Sequence, residues 1–225
     1  MLIDPYRFRR LTITGIIREA RHAVSVQVEK PNDYSFACGQ HAVVRVTLPD
    51  GTTAIRQYSF SSAPTSSELW LTITKEGDGV VSSWFHERAT VGATIELTHP
   101  FNGPLVQKST RGDLCMIAGG SGIAPLMSTL RERRLSGEFT TTLLYTTRAD
   151  KRCFEAELAP LAGERIIQRI TDTETRFNEA DIRAAIPQNA TVLLCGSREF
   201  VVAMRALCET IVPAEQIHAE AFSLV

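Results

Sequence analysis

The chain has 225 residues, room for one large domain or for two of about 100 to 120 residues each. Its 24 Lys and Arg against 25 Asp and Glu leave a formal charge of -1, without the basic excess that a general nucleic-acid or anionic-membrane binder needs. Hydrophobic residues at 44% and charged residues at 22% exclude a disordered composition.

In chain order, Met1–Arg10 lacks a hydrophobic signal-peptide core, and no later run is apolar for long enough to span a bilayer. A soluble, cytoplasmic protein is therefore expected. Leu11 and Ile13, then Val24, Val26 and Val28, recur at period two and predict strands, as does Ala42–Val46 after the turn signal Cys38-Gly39. Pro49-Asp50-Gly51 reads as a hairpin turn. Further strands are predicted at Ala54–Phe60, Leu69–Lys75 and Thr94–Thr98, with a short helix near Ser82–Arg88. Short strands at this spacing predict a small all-β antiparallel barrel of Greek-key type.

The texture changes after Pro104, across a polar linker at Val106–Asp113. Leu114–Ala118 is a short apolar run that enters a glycine loop and then a helical pattern with Leu126 and Leu130. Strands at Thr141–Thr147, within residues 164–170 and at Thr191–Gly196 alternate with helical stretches at Phe154–Leu161, Asn178–Ile186 and Phe200–Ile211. This alternation predicts an α/β doubly wound parallel sheet of the nucleotide-binding kind. The expected domains are residues 1–108 and 109–225.

Five cysteines, at 38, 115, 153, 195 and 208, are widely spaced with no CxxC pair. That pattern argues against a zinc site, an iron–sulfur cluster or a local disulfide framework and for reduced thiols. The five histidines show no metal-ligand spacing, so no metal is assigned.

Three motifs carry chemistry. Ala118–Pro125 (AGGSGIAP) follows a buried strand and opens a helix, where glycines admit a pyrophosphate to the backbone and the helix start favours an anion. It departs from GxGxxG, and taken alone it reads either as a phosphate cradle or as a tight turn that binds nothing. Arg56-Gln57-Tyr58-Ser59 offers a phosphate fork, a flat stacking surface and a hydroxyl, although alternation puts Ser59 on the opposite face from Arg56 and Tyr58. Gly79-Val80-Val81-Ser82 suggests a helix start with Ser82 as its cap. Edge-strand and capping roles alone would explain the last two.

Taken in order, these motifs with Phe36–Val44, Arg56–Pro64, Gly79–His86, Val91–Pro104, Leu193–Ser197 and Glu220–Phe222 give a chain that resembles the ferredoxin–NADP reductase superfamily. The resemblance spans nearly the whole chain and implies a barrel that binds FAD followed by a domain that binds NADPH or NADH. It implies Arg56 on the FAD diphosphate, Tyr58 against the isoalloxazine, and Ser59 near flavin N5. Gly79, Val80, Val81 and Ser82 are implied at the pyrophosphate of FAD. In the second domain, Gly119, Gly120 and Gly122, with Pro125 closing the loop, are implied as the cradle of the pyridine dinucleotide. Cys195 is implied beside the nicotinamide, with Ser197 where the family usually has proline. Glu220 is implied in proton supply near Ser59, and Phe222 as a cover on the flavin face, although Ser223–Val225 continue beyond it.

Arg148 and Arg152, with Arg176 after the third strand, lean towards NADPH as donor, since arginine suits a 2′-phosphate. The implied activity is hydride transfer from NAD(P)H to flavin N5, with electrons leaving for a protein carrier such as ferredoxin, flavodoxin or an oxygenase component. The lack of clustered cysteines points to a member without its own iron–sulfur domain. Two alternatives stand beside this: a free-flavin or ferric reductase, and a relay or regulatory subunit of a larger complex. No nucleic-acid or membrane partner is expected.

Overall fold

Alternating apolar residues in the first hundred positions form six strands, each turning its apolar face inward. They are β1 (Arg9–Ala20), β2 (Ala23–Val28), β3 (His41–Thr47), β4 (Thr53–Ser59), β5 (Leu69–Thr74) and β6 (Thr94–Leu97), with helix α1 (Val80–Glu87) between the last two. The computed structural model describes residues 6–75, 77–106, 112–136, 140–161 and 165–222. The strands run in the order β4-β3-β6-β1-β2-β5, all neighbours antiparallel. Phe60, just past β4, bridges to Leu71 on β5 and brings the two edges together into a barrel. Leu11, Ile13, Val24, Val26 and Val28 share its core with Phe60 and with Val81 and Phe85 of α1, which plugs one end.

The second half is a five-stranded parallel sheet. Strands β7 (Leu114–Gly119), β8 (Thr141–Thr147), β9 (Ile166–Ile170), β10 (Thr191–Ser197) and β11 (Ile217–Phe222) lie in the order β11-β10-β7-β8-β9. Helices α2 (Ile123–Ser136), α3 (Glu155–Leu158), α4 (Glu179–Ala185) and α5 (Arg198–Cys208) connect them. The middle strands are apolar on both faces, as a sheet covered on both sides requires. Met116, Ala118, Leu143, Tyr145 and Cys195 enter one core, while Cys115, Ile117, Leu144, Val192 and Leu194 enter the other.

Three local expectations need correction. Helix α1 starts two residues earlier than expected, with Gly79 as its cap residue; Ser82 lies inside the first turn and donates its hydroxyl to the Gly79 carbonyl at 2.9 Å. The stretch Phe154–Leu161 is a single α turn followed by a 3-10 turn, because Pro160 has no N–H with which to continue the ladder. Strand β11 was not expected: its polar and apolar residues are too evenly mixed to stand out, and it is parallel pairing with β10 that orders them. The expected linker and the boundary at 108/109 fall largely on 107–111, outside the described residues, as does the tail 223–225.

The two sheets are joined by direct contacts. Arg131 on α2 donates to the Ser61 carbonyl at 2.7 Å, the Phe154 N–H donates to Glu19 of β1 at 2.9 Å, and the His22 N–H donates to the Asp150 carbonyl at 2.8 Å.

Candidate functional site

Between barrel and parallel sheet lies a cleft of about 1140 Å³. Its floor is formed by the carboxyl ends of the central parallel strands, where open α/β sheets bind their ligands.

On the barrel side, Arg56, Gln57, Tyr58 and Ser59 all line the opening. Strict alternation would have turned Ser59 away, yet it lines the cleft beside Tyr58 while remaining largely buried. The Tyr58 ring meets Phe85 edge-on, centroids 5.8 Å apart, and burial pushes its hydroxyl above the ordinary tyrosine range. Beside it stand Gly79, Val81 and Ser82. The first intrahelical bond of α1 runs from the Ser83 N–H to the Gly79 carbonyl, so the N–H groups of Val80, Val81 and Ser82 have no partner within the helix. The Val80 side chain is half exposed and does not line the cleft.

On the other side, the glycine loop is a 3-10 turn at Gly120–Gly122 running into α2. Gly119, Gly120, Ser121 and Ala124 line the cleft. Gly120 has φ +54° with open space above it, a backbone that a side chain would strain. Gly122 and Pro125, also expected in the cradle, stand behind the residues that line it. Gly122 packs its Cα on the Cys195 backbone, where an added methyl would overlap the carbonyl oxygen. Pro125 is buried behind the loop.

Cys195 is fully buried in the core at the end of β10 and its side chain does not reach the cleft wall. Burial, with the Glu220 carboxylate adding to it, pushes its thiol far above the ordinary range. Glu220 and Phe222, on β11, do line the cleft and pair in register with Cys195 and Ser197. The Glu220 carboxylate faces Gly103 of the barrel half, within 3.2 Å of where a Cβ there would stand. Its Oε2 is buried without a hydrogen-bond partner, and burial raises its pKa.

At the far end lie Thr147, Arg148, Lys151, Thr171 and Arg176. Arg148 donates to Asp150 at 3.2 Å, and its Nε is 3.8 Å from Asp172. The other Asp172 oxygen accepts the Ala149 N–H at 2.7 Å. Arg152 does not line the cleft; it is held by Glu155 at 2.7 Å and by Gln168.

Several lining residues escaped the sequence reading: His41, Ser121, Lys151, Thr171, Glu199 and Phe200, and behind them Asp172. All but His41 follow the carboxyl end of a strand within five residues, so listing strand ends would have found most of them. The Phe200 ring fills the space beside Gly119 and Gly196, 2.7 and 2.6 Å from where their Cβ atoms would lie.

This donor set fits a planar ring cofactor carrying a diphosphate. Arg56 and the unpaired N–H groups of α1 suit the phosphates, Tyr58 offers an aromatic surface, and the orphaned Glu220 oxygen lacks the partner that a bound heterocycle supplies.

Comparison with known proteins agrees with that chemistry. The oxidoreductase FAD-binding domain family matches residues 11–105. The chain is 30% identical over 202 residues to the ferredoxin reductase component of 3-ketosteroid-9-alpha-monooxygenase from Mycobacterium tuberculosis, covering 85% of this chain and 56% of that protein. It is 29% identical over 230 residues to a flavohemoprotein of Bacillus subtilis, covering 91% and 57%. The chain thus spans little more than half the length of these curated relatives. Among solved structures, phthalate dioxygenase reductase superposes with a TM-score of 0.81 at 23% identity, covering 96% of this chain and 68% of that one. A ferredoxin NADP+ reductase from Neisseria gonorrhoeae, solved with FAD and NADP, superposes at 0.78 and 21% identity, covering 95% and 98%. At these identities the structural likeness establishes the two-part fold.

Proposed function

We propose that this chain, whose residues 11–105 match the oxidoreductase FAD-binding domain family, is a reductase of the ferredoxin–NADP reductase superfamily that oxidises a reduced pyridine nucleotide and passes the electrons to a protein acceptor. The observation that carries this reading is the single cleft that joins Arg56, Tyr58, Ser59 and the start of α1 to the glycine loop and β11. Held by Arg56, Tyr58, Ser59 and the start of α1, FAD would supply the redox chemistry, that is hydride acceptance and one-electron release.

The chain's own residues bind and orient. Arg56 and the Val80, Val81 and Ser82 N–H groups hold the FAD diphosphate, and Tyr58 packs on the ring. Ser59 gives a hydrogen bond at the reacting edge. Gly119, Gly120 and Ser121 receive the pyridine nucleotide's pyrophosphate. Glu220 holds a proton beside the ring, which its raised pKa favours. Phe222 lines the face where the nicotinamide docks. Cys195 acts as a positioning residue: its backbone supports Gly122 and its side chain packs the strand end.

The donor we propose is NADH. Arginines after the strands suggest NADPH from sequence alone, but Arg148 is engaged by Asp150 and Asp172, and Arg152 by Glu155. Asp172 also takes the Ala149 N–H, leaving a carboxylate where a 2′-phosphate would otherwise find a donor. For the acceptor we propose an oxygenase component or a small electron carrier, following the ferredoxin reductase components among the relatives. The test is steady-state reduction of ferricyanide by FAD-loaded protein. NADH-driven turnover supports the reading, and absence of turnover with both NADH and NADPH refutes it.

A further inference from the structure

Among the described residues, Phe154 and Asn189 are the two non-glycine residues with positive φ. Asparagine adopts that region readily and phenylalanine does not. Phe154, at φ 60° and ψ 28°, is the residue before α3, and its own side chain makes no capping bond. What holds it comes from the barrel. Glu19 Oε2 accepts the Phe154 N–H at 2.9 Å, while Glu19 Oε1 accepts from Ser25 Oγ at 2.7 Å. Behind Ser25 the hydroxyls of Thr72 and Ser61 continue the chain at 2.9 Å spacings. The Phe154 ring is buried, with the Arg131 guanidinium 5.0 Å from its centroid. Arg131 is in turn fixed by Glu157 and by the Ser61 carbonyl.

This left-handed residue terminates the segment 148–154, which carries Arg148 and Lys151 to the far end of the cleft. The other end of that segment also meets the barrel, where the His22 N–H donates to the Asp150 carbonyl. The segment is therefore clamped at both ends by the β1–β2 hairpin, across a sequence separation of 135 residues at Glu19. Without a carboxylate on its N–H, Phe154 loses the partner that offsets its strained backbone. A relaxed φ there changes the direction in which the segment leaves α3.

We propose that Glu19 is a positioning residue for the pyridine nucleotide: by holding Phe154 left-handed from the barrel, it sets the loop that presents Arg148 and Lys151 to the nucleotide. This rests on the reading that the cleft takes a pyridine nucleotide.

The test is calorimetric titration of the FAD-loaded protein with NAD+, beside steady-state kinetics with NADH. Glu19→Ala is expected to weaken NAD+ binding and raise KM for NADH by about tenfold, the scale of losing a hydrogen bond to a charged group, with FAD content and kcat retained. Glu19→Gln can turn its amide oxygen to the Phe154 N–H and its amide NH2 to the Ser25 hydroxyl, which accepts as well as donates, and is expected to restore most of the affinity. Wild-type affinity in Glu19→Ala overturns the proposal, as does a loss of affinity that comes only with lost FAD and lower kcat, or one that Gln does not rescue. A wild-type protein that neither binds NAD+ nor turns over NADH refutes the pyridine-nucleotide reading itself, and this proposal with it.

Discussion

Gly122 rests its Cα against the backbone carbonyl of Cys195, so the loop after β7 and the end of β10 touch with no room for a side chain between them. That contact fixes the spacing of the two central strand ends on which the nucleotide site is built. Gly122→Ala must push them apart. The expected cost is about 1–3 kcal/mol of stability, as for other overpacked sites, seen as a lower Tm. Weakened NADH binding should accompany it while FAD stays bound to the barrel.

Arg56 is the cation at the barrel lip of the cleft, next to the unpaired N–H groups of α1. Arg56→Ala is expected to weaken FAD binding by about ten- to a hundredfold, the range for a charged hydrogen bond to phosphate. Arg56→Lys should fall between, since an ammonium lacks the two-pronged geometry. Quenching of FAD fluorescence on titration measures both.

Glu220 gives a pH prediction. Burial raises its pKa, so the folded protein keeps a proton that the unfolded chain releases. Stability therefore falls as pH rises from the ordinary carboxylate value towards the raised one, because over that window the folded state binds more protons. Glu220→Gln removes the ionisation. In flavin-free protein, the Tm of the Gln variant relative to wild type should rise as pH is taken from about 4 to about 7. Parallel Tm curves for the two proteins would contradict this.

Asp172 gives a prediction on donor choice. Asp172→Asn removes the negative charge beside Arg148 while retaining an acceptor for the Ala149 N–H. The ratio of kcat/KM for NADPH over NADH is expected to rise by about tenfold, the order of one partly screened charge on a phosphate dianion. An unchanged ratio would move the discrimination elsewhere.

Much of this was legible in the residues. The alternation of Val24, Val26 and Val28 and the apolar runs at Leu114–Ala118 and Thr191–Gly196 mark strands whose burial repeats that pattern. Arg56, Tyr58, Ser59, Gly119, Gly120, Glu220 and Phe222 meet in one cleft. What escaped depends on neighbours far apart in sequence. Gly122 reads like its loop companions, yet it serves packing because β10 runs beside β7. Arg152 reads like Arg148, but Glu155 and Gln168 draw it away. Asp172 reaches Ala149 only because β9 lies beside β8, and nothing local announces that Phe154 turns left-handed under a carboxylate of the barrel.

The most direct measurement is an anaerobic titration of the purified, FAD-loaded protein with NADH, and with NADPH in a parallel sample, following the flavin absorbance. The account predicts that NADH bleaches the flavin band stoichiometrically and that NADPH does so only at much higher concentration. FAD-loaded protein whose flavin band neither donor bleaches would contradict it.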